Sequence, residues 1–224
     1  MKAGSLKVAV HTAVLAILIP AAAHASELQE KLPAASHAGE LEEKLDFCTN
    51  CHGDHFQGFA AFFTAPRLAG QPVQYLENQF RGIRDRVRND PTTQEFMYPI
   101  LTHLDPHLQP GIAKYLSELN PPPGDGGPRH LVAGGRKIFE EGVPDENVPA
   151  CAACHGPDAH GSEQVPRLAG QMYAYVVDQL VQWRKGYRAK DPANPSDENV
   201  MVPIAKGLTK NQIEAVAAYV SYQR

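Results

Sequence analysis

Cys48-Thr49-Asn50-Cys51-His52 and Cys151-Ala152-Ala153-Cys154-His155 decide the reading of this chain, because the same Cys-x-x-Cys-His pattern stands twice at an offset of 103 residues. Working outward from the pair, Pro66-Arg67-Leu68-Ala69-Gly70-Gln71 recurs letter for letter as Pro166-Arg167-Leu168-Ala169-Gly170-Gln171, at an offset of 100. Met97-x-Pro99-Ile100 recurs as Met201-x-Pro203-Ile204, and Leu104, Ile112 and Tyr115 align with Leu208, Val216 and Tyr219, all at 104. The order is kept and the offsets drift by a few residues, as loop insertions require. The chain is one unit written twice.

Between the copies lies Asn120-Pro121-Pro122-Pro123-Gly124-Asp125-Gly126-Gly127-Pro128, which can sustain neither a helix nor a ladder and reads as an extended spacer. The expected division is 26–120 and 130–224, with a Pro/Gly-rich linker over 121–129. Within each copy the apolar period is helical. Val73, Leu76, Phe80, Ile83 and Val87 fall on one face, and Tyr173, Val176, Leu180, Trp183 and Tyr187 repeat it. Leu41 and Leu45 predict a short helix before the first Cys pair; Leu131, Val132, Ile138 and Phe139 predict one before the second. Asp105-Pro106 and the capping box Thr209-x-x-Gln212 open a last helix in each copy. No alternating β-branched run suggests a sheet. The fold class is all-α, as two tandem domains. Domains this small, with so few large apolar residues, make poor cores alone. Something large and apolar is expected to complete each one.

Cys-x-x-Cys-His is the attachment signature of c-type haem: two thiols add across the porphyrin vinyls, and the adjacent His is placed under the iron. A thioredoxin-like redox pair would sit on a βαβ pattern, which is absent. A zinc site shared across the gap would ignore the duplication, and a structural disulfide gives no reason for His to follow both pairs. The expectation is two covalently bound haem c groups, on Cys48/Cys51 and Cys151/Cys154, with His52 and His155 as iron ligands.

A second axial ligand is sought among methionines, since a thioether raises the reduction potential relative to a second His. Met97 and Met201 are repeat-equivalent and are expected in loops that let the sulfur turn inward. Met172 has no repeat partner. His103 and His107 are rivals to Met97, but their counterparts are Gly207 and Asn211; His55, His130 and His160 are likewise unpaired. A ligating His needs its other ring nitrogen held by an acceptor. The carbonyls of Pro66 and Pro166 are candidates, with Leu68 and Leu168 packing on the haem face; the competing reading is a loop kept for packing. Arg88 and Arg188, read as ending the middle helix, are candidates for haem propionates, with a solvated helix end as the alternative.

Composition sets limits. Of 224 residues, 43% are hydrophobic and 21% charged, with 21 Lys+Arg against 25 Asp+Glu, so there is no basic excess for nucleic acid. The N-terminus is read separately. Lys2 and Lys7, an apolar run over 8–20 broken by His11 and Thr12, and Ala23-His24-Ala25 describe a secretory signal cleaved after Ala25, against an uncleaved anchor. The run is short for a bilayer, which takes about 20 apolar residues. Export into an oxidising compartment, the periplasm, is the expectation.

With these motifs in place the sequence resembles the class I cytochromes c, and in particular the di-haem cytochromes of the c4 type. The features that carry the likeness are Ala150-Cys151-Ala152-Ala153-Cys154-His155-Gly156, both Pro-Arg-Leu-Ala-Gly-Gln segments and both Met-x-Pro-Ile segments, covering essentially residues 40–224. The resemblance implies two class I folds facing one another, with His52 and Met97, and His155 and Met201, as axial pairs, and Pro66 and Pro166 as carbonyl partners of the His. It implies a periplasmic one-electron carrier between a membrane cytochrome complex and a terminal oxidase or reductase. The alternative is the electron-accepting subunit of a periplasmic dehydrogenase, such as a flavocytochrome sulfide dehydrogenase; a di-haem peroxidase ranks third, because two symmetric Met ligands leave no open iron. The loop over 56–63 departs from the pattern. It holds four Phe, and is read either as haem-edge packing or as a docking or peripheral membrane contact.

Overall fold

The computed structural model describes residues 34–60, 63–123 and 126–224; the expected signal segment lies outside them. Helix α1 runs Ala34–His52, so the first Cys pair is its last turn. Leu41, Leu45 and Cys48 recur on one face and turn it onto the first core. The expected short helix is therefore a 19-residue one. It stops at Gly53, whose φ of +84° lets its N–H reach the Thr49 carbonyl at 2.9 Å.

The four-Phe loop follows, and here the all-α expectation needs a small amendment. Phe59–Ala60 (β1) and Thr64–Ala65 (β2) pair as a two-residue antiparallel ladder. Then come α2 (Val73–Arg84), α3 (Pro91–His103) and, after a single turn at Pro106–Leu108, α4 (Gln109–Glu118). Asp90 starts α3 by accepting from the Thr93 N–H, with Pro91 in the first helical position. Asp105 caps its turn through the His107 N–H, as its sequence suggests.

The second copy repeats this with one break. Helix α5 (Val132–Glu141) ends at Gly142 (φ +76°), and a loop with Pro144 and Pro149 separates it from the four-residue α6 (Ala152–His155). Next come α7 (Tyr173–Arg184), α8 (Met201–Gly207) and α9 (Lys210–Ser221). The Thr209/Gln212 capping box that opens α9 is complete.

Two cores result. Leu45, Phe56, Leu76, Phe80, Ile83, Leu101, Ile112 and Leu116 form one. Ile138, Phe139, Val148, Val176, Leu180, Leu208, Ile213, Val216 and Tyr219 form the other. Helix α9 crosses α5 at Gly135, where a Cβ would sit 1.9 Å from the Ala215 carbonyl oxygen. Only glycine allows that approach, which also brings the Phe139 and Tyr219 rings to 5.3 Å. The segment between the copies is strapped down. Tyr222 donates to the Gly127 carbonyl at 2.6 Å, and the Gly127 N–H donates to Ser221 Oγ at 3.0 Å. Among the described residues no helix is long and apolar enough to cross a membrane.

Candidate functional site

Each Cys pair sits where a helix meets its core. Cys48 and Cys151 pack against the two cores, Cys51 and Cys154 are exposed, and all four are free thiols. Burial raises the pKa of Cys48, and pushes Cys151 up to about 11, so both are thiols at neutral pH rather than thiolates. Among the described residues no cluster of three His, Cys, Asp or Glu is placed to hold a metal ion between them.

The histidines that end the motifs are the most informative groups. His52 and His155 are buried, and burial lowers both pKa values, offset in part by the proline carbonyls they face. His52 Nδ1 lies 2.9 Å from the Pro66 carbonyl oxygen, and His155 Nδ1 lies 2.9 Å from that of Pro166. A carbonyl only accepts, so Nδ1 carries the proton and Nε2 keeps its lone pair, with no hydrogen bond among the described residues. The backbone holds this geometry in both copies. Leu68 and Ala69 donate to the Phe56 carbonyl, and Leu168 and Ala169 to that of Ala159, each acceptor residue lying in the left-handed region. Leu68 and Leu168 pack on their cores.

The methionines need a correction. Met97 lies inside α3 and Met201 is the first residue of α8, rather than in loops; Asp90-Pro91 starts the first helix early enough to enclose Met97. Both are half-buried against their own cores. Met172 is buried just before α7 and reaches the loop at Gly58, a packing role. His55, His103, His107 and His130 are exposed.

Arg88 and Arg188 also differ from expectation. They lie four residues beyond the ends of α2 and α7 and are buried. Arg88 binds Asp90 at 3.0 Å and Gln79 at 3.0 Å within its own copy, and Gln179 at 3.0 Å and the Tyr175 hydroxyl at 3.1 Å in the other. Arg188 donates to Gln179 at 2.7 Å and to Gln79 at 3.3 Å. Arg88 is thus occupied by protein. Two buried guanidiniums share one buried carboxylate; the Arg188 guanidinium lies 4.0 Å from the centre of the Trp183 ring, and Trp183 Nε1 is a buried donor with no partner among the described residues. Burial, then the neighbouring Arg88, lower the pKa of Arg188.

The sequence reading missed the glutamines. Gln71 donates to the Arg167 carbonyl at 2.9 Å and accepts from the Arg167 N–H at 3.0 Å. Gln171 does the same to Arg67, at 2.9 and 2.7 Å. The letter-for-letter repeat is therefore a reciprocal clasp between the copies. The available signal was four buried amides, Gln71/Gln171 and Gln79/Gln179, at a constant offset of 100.

Comparison with known proteins follows this geometry. The family described as Cytochrome c matches residues 132–223. Cytochrome c-552 of Acidithiobacillus ferridurans is 37% identical over 78% of this chain and 72% of its own length. Cytochrome c4 of Pseudomonas aeruginosa is 35% identical over 77% and 82%. The chain belongs to the cytochrome c4 family. The solved cytochrome c4 of Acidithiobacillus ferrooxidans superposes with a TM-score of 0.67 at 35% identity, over 78% of this chain and 98% of that one. A protein named thiosulfate dehydrogenase electron acceptor, from Thiomonas intermedia, is 34% identical over 79% and 78%.

A cytochrome c4 carries covalent haem c, and the residues present suit it: paired free thiols beside a buried imidazole whose Nε2 has no hydrogen bond among the described residues.

Proposed function

We propose that this cytochrome is a periplasmic one-electron carrier without catalytic residues, built as domains 26–120 and 130–224 joined by a linker over 121–129. Cys48, Cys51, His52 and Met97 hold one haem, and Cys151, Cys154, His155 and Met201 the other. The observation that carries this reading is the twofold His–Pro geometry, with each Nδ1 tied at 2.9 Å to a carbonyl.

When bound, haem supplies an iron that cycles between two oxidation states. The chain's residues set the terms. The Pro66 and Pro166 carbonyls fix the tautomer and orientation of each imidazole and raise its basicity. Met97 and Met201, each held within a helix, would supply the second protein ligand at each haem and so would leave no open position for a substrate. Leu68, Leu168 and the two cores exclude water. Arg188 and Trp183 Nε1 supply a charge and a donor for a propionate. The protein partners are redox proteins: a membrane cytochrome complex as donor and a terminal oxidase or reductase as acceptor. The relative named as a thiosulfate dehydrogenase electron acceptor supports a second reading, in which a periplasmic dehydrogenase is the donor.

Mass spectrometry of the protein produced with a cytochrome c maturation system should show two haem additions per chain. Its ferric form should show the long-wavelength sulfur-to-iron band at two-haem intensity. Met97→His should lower the potential of one haem and leave the other close to its original value. Rapid cyanide binding by the unmutated ferric protein would overturn the closed-site reading. Co-purification with a dehydrogenase would favour the second donor.

A further inference from the structure

Beside the clasp lies a cavity of about 230 Å³, lined by Arg67, Arg167, Arg224, Asn120, Gln223 and the carbonyl-rich run of three prolines at 121–123. A water takes about 30 Å³ of liquid, so a tetrahedral anion fits with waters to spare. Among the described residues the lining carries three guanidiniums and no Asp or Glu side chain. The two central arginines are repeat-equivalent, yet their environments differ. Arg67 is 1% exposed and fully engaged, by Ala69 O at 3.0 Å, Pro122 O at 3.0 Å and Pro121 O at 2.9 Å. Arg167 is 6% exposed and donates only from Nε, to Ala169 O at 3.0 Å; its two Nη groups have no hydrogen-bond partner among the described residues.

Each guanidinium reaches across the clasp to the other copy's glycine. A Cβ on Gly70 would lie 3.4 Å from Arg167 Nη1, and one on Gly170 would lie 3.3 Å from Arg67 Nη1. Burial, then the facing Arg167 charge, draw the Arg67 pKa down to about 10. Asp158 makes no hydrogen bond to Arg167 but acts on it electrostatically, raising its pKa against burial. Its carboxylate lies 3.2 Å from His160 Nδ1, and the main-chain oxygen of Arg224 lies 2.7 Å from His160 Nε2. An anion meeting those open N–H groups would gain charge-assisted hydrogen bonds.

We propose that this cavity binds a small tetrahedral oxyanion of the sulfate or phosphate class, gripped by the free Nη groups of Arg167, with Arg67 and Arg224 supplying charge. The site joins the first repeat, the segment between the repeats and the second repeat, so an anion there ties the two copies together.

Titration calorimetry of the ferric di-haem protein tests this, with sulfate as probe and phosphate as a second arm, at ionic strength held constant by chloride. One saturable site is expected. Arg167→Gln should weaken it at least tenfold while leaving the haem spectrum unchanged. Should Arg167→Gln fold poorly, Arg224→Gln, at an exposed position, should weaken binding several-fold. Absence of saturable binding in the unmutated protein, or equal binding by the folded variants, would overturn the proposal.

Discussion

Removing one arm of the glutamine clasp tests whether the copies fold as one unit. Gln171→Met keeps most of the side-chain volume but deletes both hydrogen bonds to Arg67, the donor at 2.7 Å and the acceptor at 2.9 Å. Arg67 is 1% exposed, so its peptide N–H and C=O cannot turn to water in place. Each buried group left unpaired costs about 1–3 kcal/mol, and partial rehydration should hold the sum near 2–4 kcal/mol. For a protein of this size that lowers the thermal midpoint by roughly 5–15 °C. The assay is thermal unfolding of the ferric holoprotein, followed by far-ultraviolet circular dichroism and by the haem absorption. A single transition in the parent should broaden or split in the variant, because the copies then melt with less help from one another. Gln71→Met should behave alike, and the double variant should fall short of additivity, since the first cut already loosens the second. A shift no larger than that of an ordinary surface substitution, about 0.5 kcal/mol, would refute the reasoning.

Two further outcomes follow from the same geometry. Asp90→Asn leaves the buried Arg88 without its carboxylate and should cost about 3–5 kcal/mol in thermal or denaturant unfolding. Burial alone would raise the Asp90 pKa, but Arg88 and the Thr93 cap outweigh it and hold it below its ordinary value of 3.8. The stability Asp90 adds is therefore present above about pH 4 and is lost as pH falls through the folded value, and a denaturation series from pH 6 to 3 should show that acid limb shrink in the variant. Gly135→Ala puts a methyl 1.9 Å from the Ala215 carbonyl oxygen, so α5 and α9 must part. Destabilisation of about 1–3 kcal/mol is expected, with earlier melting of the second copy; an unchanged midpoint would show that the crossing yields freely.

The helical period, the caps and the internal duplication were legible because each is written locally, in spacing or in a side chain that serves its own backbone. Thr209 and Gln212 close their box within one turn, and Leu76, Phe80 and Ile83 all enter one core. What escaped was non-local or hidden by residue type. The Met97 helix was missed because Pro99 reads as a breaker, yet Pro91 and Asp90 start the helix far enough upstream to run through it. Arg88 and Arg188 read as propionate partners or solvated helix ends, and the Gln179 amide and Tyr175 hydroxyl that help bury Arg88 come from the other copy. In the four-Phe loop, Phe56 enters the core, Phe63 stacks on Phe96 at 4.2 Å and Phe59 stays exposed; no spacing rule sorts them.

The clasp and the His–Pro pairs are one piece of chain. Pro66 holds His52 through its carbonyl, and the next residue, Arg67, gives its N–H to Gln171 of the other copy. The peptide bond between Pro66 and Arg67 is rigid, so a movement of the second copy against the first tilts the carbonyl that orients the first imidazole. The same holds in reverse for Pro166, Arg167 and Gln71. An acceptor that shortens its hold on Nδ1 makes the imidazole a stronger donor to iron and favours the oxidised state; one that retreats does the opposite. The Gln171→Met variant should accordingly move a potential as well as a melting point, and a buried clasp of amides serves that coupling better than an apolar seam, because its geometry is directional.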